Sequence, residues 1–157
     1  MAAIVDHPIF SQPDSESVIW KYMPLSQFLY LLQKRSLWFT RMDLFNDPFE
    51  GKKTEVIIDL MVKESKYINT EKEKAYFKNT MKAKQKVDRM STFINCWSLN
   101  NHESMAMWSV YCKDEFSIAL KTNYANLVNA LPNYVYIGQV LYQDYSEIEK
   151  VKNVFYY

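Results

Sequence analysis

The spacing of apolar residues opens the chain as strand, helix, strand. Residues 18–23 are short, β-branched and aromatic, which predicts a strand. Pro24 suits the first turn of a helix, where its missing N–H costs nothing. Leu25, Phe28, Leu29 and Leu32 then recur at helical spacing and give one apolar face. Lys34 and Arg35 follow where the helix dipole favours positive charge. Residues 36–40 (SLWFT) predict a second strand, and 41–51 a loop in which Asn46-Asp47-Pro48 is a turn signal closed by Gly51. Thr54 is placed to cap a helix running to about Lys63. Thr70 and Glu73 have the spacing of a capping box for a more polar helix ending near Arg89. Beyond it the pattern predicts a strand at 90–97, a polar turn at 98–101 and a helix at 103–112. A strand follows at 116–121, then a short helix capped by Asn123 and stopped before Pro132, and a final buried strand at 134–142.

Helices interposed between strands that need not all be parallel predict an α+β domain of small mixed or antiparallel sheets with flanking helices. Residues 1–17, with Pro8 and Pro13, read as a loose lead-in, and 18–157 as one domain. The apolar end, Val154-Phe155-Tyr156-Tyr157, contrasts with the polar tails of most domains and reads as the cut end of something longer.

Composition narrows the chemistry. Nineteen basic against 18 acidic residues leave a net charge of +1, which argues against duplex nucleic acid as the main partner. The basic residues between Lys63 and Arg89 alternate with Glu64, Glu71 and Glu73, as on a solvated helix face rather than a phosphate-binding stripe. Two glycines, Gly51 and Gly138, exclude glycine-rich phosphate loops, which need several in one turn. Two cysteines, Cys96 and Cys112, form neither a disulfide framework nor a metal motif. The start of the chain lacks a basic signal-peptide region, and no apolar run reaches membrane-spanning length, so the reading is a cytoplasmic protein without membrane contact. Aromatic residues at 16% supply a core and flat surfaces for a ring-shaped ligand.

Two stretches concentrate functional-looking residues. The first holds Trp20-Lys21-Tyr22, Leu37-Trp38-Phe39-Thr40 and the loop Phe45 to Gly51. The second holds Asn95-Cys96-Trp97-Ser98 followed by Met107-Trp108-Ser109-Val110-Tyr111. Together they resemble the bacterial domain of unknown function 2971, over roughly residues 18–145. Two departures stand out. Lys113-Asp114-Glu115 occupies a stretch where that family usually has glycine, and the family's downstream Glu-x-Glu-x-Arg-like strand is absent. The opening strand–helix–strand is more distantly similar to ADP-ribosyltransferase domains, which hold NAD between two small sheets without a glycine-rich loop. That second resemblance is at fold level and is associational.

The resemblance implies a site with NAD as substrate. Glu50 and Asp47 are its catalytic candidates, and Tyr22, Asn46, Ser98, Trp108 and Tyr111 its binding candidates. On chemistry alone, two carboxylates three residues apart can serve as base, ribose acceptor or metal ligands. The alternative is an Asx turn with a solvated glutamate. Ser98 has the alternative of closing a turn, and Trp108 and Tyr111 that of core packing at helical spacing. His7 lies in the loose lead-in, and no cysteine or carboxylate stands at ligand spacing to His102 except the adjacent Glu103. The expected functions are an ADP-ribosyltransferase-like protein binding NAD or a related nucleotide, or a non-catalytic module of a bacterial stress or phage-defence system with a protein partner or a second copy. A metal nuclease built on Asp47 and Glu50 ranks third, for want of positive charge and a third carboxylate.

Overall fold

The computed structural model describes residues 2–5, 7–8, 10–47, 50–51, 53–112 and 116–140. The fold is α+β, with small antiparallel sheets and flanking helices. Two compact units divide the chain, one of residues 1–38 with 95–141, the other of residues 39–94 with 142–157.

The first unit is organised by β1 (Val18–Pro24), with Ile19, Trp20, Tyr22 and Met23 all buried. Pro24 ends β1 and leads into α1 (Leu25–Lys34), which Arg35 closes in the left-handed region at φ 51°. β4 (Ser98–Leu99), α4 (Met105–Tyr111), β5 (Ser117–Asn123) and α5 (Tyr124–Ala130) complete this unit. Its sheet has the order β4-β1-β5, antiparallel throughout. β5 pairs with β1 along its whole length, from Val18↔Asn123 to Pro24↔Ser117, whereas β4 pairs only at Ile19↔Leu99 and Trp20↔Ser98. Asn123 caps α5 by accepting from the N–H of Asn126 at 2.9 Å, as its position suggested.

Residues 98–101 differ from the expected polar turn, because Ser98 and Leu99 add a strand to β1. Their backbone groups find partners there that a turn would leave to water. The stretch 134–140 makes one parallel bridge, Ile4↔Tyr136, instead of a strand, and residues 141–142 lie outside the described residues. The same bridge holds the N-terminal segment. Ala3 is buried, and its N–H donates to Val128 O at 2.9 Å.

The second unit pairs β2 (Thr40–Arg41) with β3 (Phe93–Ile94), and a 3₁₀ turn (Met42–Leu44) follows β2. Residues 36–39 are irregular, and the expected strand survives only at Thr40. α2 (Glu55–Glu64) buries Ile57, Ile58 and Val62 and is capped by Thr54, whose Oγ1 accepts from Ile57 N at 3.4 Å. α3 (Glu71–Ser91) starts in the expected capping box. Glu73 N donates to Thr70 Oγ1 at 3.2 Å, and Thr70 N donates to the Glu73 carboxylate at 2.9 Å. α3 runs past Arg89 to Ser91, so the strand expected to begin at Met90 begins at Phe93. In the last turn the Ser91 hydroxyl donates to Val87 O at 3.0 Å. Among the described residues of α3 none is fully buried, and Phe77 and Met81, four residues apart, are half-buried.

Thr70→Ala is therefore expected to cost about 1 kcal/mol of local stability. Faster amide exchange in the first turn of α3, with β1 exchange unchanged, is the measurement that checks it.

Candidate functional site

In the first unit the alternation of β1 puts Trp20 and Tyr22 on one face, with ring centroids 6.5 Å apart and planes 24° from parallel. They are 7% and 5% exposed, so both belong to the core. The Tyr22 ring meets Trp108 of α4 edge-on at 5.4 Å. Its hydroxyl accepts from the N–H of Ser104, the N-cap residue of α4, at 2.9 Å. The Trp20 indole N–H donates to Asn100 O at 2.9 Å, and Lys121 Nζ sits 5.2 Å from the centre of its ring. Trp108 donates its indole N–H to the Glu103 carboxylate at 3.2 Å. Ser98 lies in β4 opposite Trp20, and Tyr111 is exposed on the last turn of α4. Tyr22, Ser98 and Trp108 are thus gathered around β1, with polar atoms of Tyr22 and Trp108 engaged in internal hydrogen bonds.

Lys21 points to the opposite face and donates to Cys96 O at 2.9 Å. Burial holds its ammonium below the usual lysine range, while the nearby Cys96 pulls in the other direction. Cys96 is exposed and Cys112 half-buried.

Asn46, Asp47 and Glu50 belong to the second unit. Glu50 N donates to Asp47 O at 3.4 Å, which closes a turn. Asn46 and Asp47 are exposed and Glu50 is half-buried. Pro48, part of the turn signal, lies outside the described residues, as do Lys113 to Glu115 and residues 154–157. Gly51 follows at φ 65°, where a Cβ would strike Met42 Sδ and come within 3.1 Å of Arg89 Cγ. Both the backbone angle and the close approach require glycine there.

Arg89 leads into a groove of about 500 Å³ within this unit. Asp43, Lys53, Glu55, Ile58, Lys82, Gln85, Lys86, Arg89 and Met90 line it. Lys82, Lys86 and Arg89 recur at helical spacing on one side of α3. The groove pairs part of its own charge. Arg41 holds Asp43 through two bonds, at 2.6 and 3.1 Å, and Lys82 meets Glu55 at 3.0 Å. The hydrogen bonds from Arg41 keep the Asp43 carboxyl below the usual carboxylate range, and the Arg89 charge adds to this. Gln85 donates to Lys53 O at 3.4 Å, which ties Lys53 to α3. Burial and the neighbouring Lys84 hold Lys53 below the usual lysine range, with Asp88 opposing. Arg89 Nε is buried and has no hydrogen-bond partner among the described residues.

None of these groove residues stood among the sequence candidates. The signal available was the Lys82, Lys86, Arg89 spacing, which read as part of a solvated face. Among the described residues no group of three His, Cys, Asp or Glu side chains is arranged to hold a metal ion, and no helix is long and apolar enough to cross a membrane. No family model, no curated protein and no solved structure matches the chain.

Two outcomes test the first-unit geometry. Tyr22→Phe removes the acceptor of a part-buried N–H and is expected to cost about 1–3 kcal/mol in urea unfolding. Lys21 gives a pH test. Its folded pKa lies below 10.5, so between that depressed value and 10.5 the unfolded chain holds more protons and stability rises with pH. The stability of the native chain relative to Lys21→Met should therefore increase as pH approaches 10.5. A flat difference across that window contradicts the assignment.

Proposed function

We propose that the chain is a binding module for a small anionic ligand of the nucleotide class, held in the groove of the second unit. The observation that carries this reading is the surplus of positive charge around a buried, unpartnered Arg89 Nε. The lining holds Lys53, Lys82, Lys86 and Arg89 against Asp43 and Glu55, a surplus of 4 − 2 = +2. A volume near 500 Å³ lies within the usual range of small-molecule sites. A nucleotide also suits the chain's lack of a glycine-rich loop, because side-chain cations rather than backbone N–H groups do the holding here.

A second reading makes the module an ADP-ribosyltransferase-like enzyme with NAD as substrate. What favours it is that the turn bearing Asp47 and Glu50 runs into Gly51, which abuts Arg89 of the groove. In that chemistry the bond from ribose C1′ to nicotinamide breaks through an oxocarbenium-like state, nicotinamide leaves, and water or an acceptor nucleophile forms the new bond to C1′ and gives up its proton. Glu50 supplies the negative charge that stabilises the oxocarbenium-like state.

Thermal unfolding with millimolar AMP tests the first reading, and with millimolar NAD the second. Saturation at about 100 times the dissociation constant adds about 2.7 kcal/mol. At about 2–4 °C per kcal/mol for a chain of this size, a midpoint rise of several degrees is expected. Arg89→Met should abolish the rise. Nicotinamide release that stops in Glu50→Gln while the thermal shift remains supports the transferase reading. A thermal shift without release leaves the binding module. No shift with NAD or with any mononucleotide ends both.

A further inference from the structure

We infer that the anion held in this groove is a phosphate monoester, with Arg89, Lys53 and Lys86 on its three terminal oxygens. This rests on the binding reading above and narrows it to one chemical class.

Asp43 is already taken by Arg41, and Glu55 by Lys82. Among the described residues that leaves Lys53, Lys86 and Arg89 as the lining cations outside any salt bridge. All three line the groove. Lys86 and Arg89 are three residues apart on α3 and share a side. Lys53 is held beside them because its carbonyl accepts from Gln85, the residue before Lys86. A buried Arg Nε without a partner is costly, and the Nε–Nη edge of a guanidinium is shaped to donate to two oxygens of one anion. With two oxygens on that edge, a third is needed for the lysines.

Phosphate chemistry then discriminates. A monoester carries nearly two charges near neutral pH and three terminal oxygens. A diester, including each phosphate of a pyrophosphate bridge, carries one charge and two such oxygens. Three lining cations outside any salt bridge suit a dianion better than a monoanion. Ile58 and Met90 complete the lining with apolar surface for the group that bears the phosphate.

The test compares AMP with 3′,5′-cyclic AMP, which share base and sugar and differ in monoester against diester. The readout is the dissociation constant by calorimetry on the full chain. AMP is expected to bind at least tenfold more tightly than the cyclic diester. Arg89→Met is expected to remove that preference, and Lys86→Gln, at an exposed position, to weaken AMP at least threefold without loss of fold. Equal affinities for AMP and cyclic AMP, both lost in Arg89→Met, overturn the monoester assignment and leave the binding reading standing. NAD binding without AMP binding has the same meaning. Affinity for adenosine equal to that for AMP, or no binding of any of the four compounds, overturns both.

Discussion

Burial of β1 on both faces is the constraint on which the first unit depends. Ile19 and Met23 are shielded on one side, Trp20 and Tyr22 on the other. A strand hidden in this way needs its backbone groups paired, and β4 and β5 supply those partners. Its polar side-chain atoms need partners too. The Trp20 indole, the Tyr22 hydroxyl and the Lys21 ammonium each reach a backbone group in the stretch 96–104. Three side chains from one strand thus pin one connecting segment. The position of α4 follows, because Tyr22 receives the N–H of its N-cap residue and packs its ring on Trp108.

The second unit works on a different balance. α3 fully buries no residue among those described; a capping box starts it, Phe77 and Met81 are half-buried, and two ion pairs join it to α2, Lys78 with Asp59 at 2.5 Å and Lys82 with Glu55 at 3.0 Å. Exposed pairs of this kind contribute little each. Their larger effect is positional. By occupying Glu55, Lys82 leaves Lys86 outside any salt bridge among the described residues, and Lys86 lines the groove with Arg89. A helix whose surface looks solvated along its length therefore lines a groove with Lys82, Lys86 and Arg89.

The sequence was legible where short-range chemistry decides. Thr54, Thr70 with Glu73, and Asn123 all cap the helices that their positions suggested, because a side-chain oxygen two or three residues ahead of an orphan N–H acts locally. The α+β class followed from the interleaving of apolar patterns. Strand bounds were less legible. Ser98 and Leu99 have turn-like composition and became β4 because β1 offered an open edge, while 134–140 has strand-like composition and formed one bridge. Pairing depends on a distant partner, which local composition does not report.

The same division runs through the candidate site. By itself the sequence determined the caps, the glycine at a φ of 65°, the aromatic alternation of β1 and the helical spacing of Lys82, Lys86 and Arg89. All of these follow from the geometry of a few neighbouring residues. Only the tertiary structure decided that Trp20 and Tyr22 are core. It also decided that Asp47 and Glu50 lie on a turn leading to Arg89, and that Lys53 stands beside a helix more than thirty residues further along the chain. Burial and the net charge of a groove are sums over residues far apart in sequence. They come into being only when folding brings those residues together.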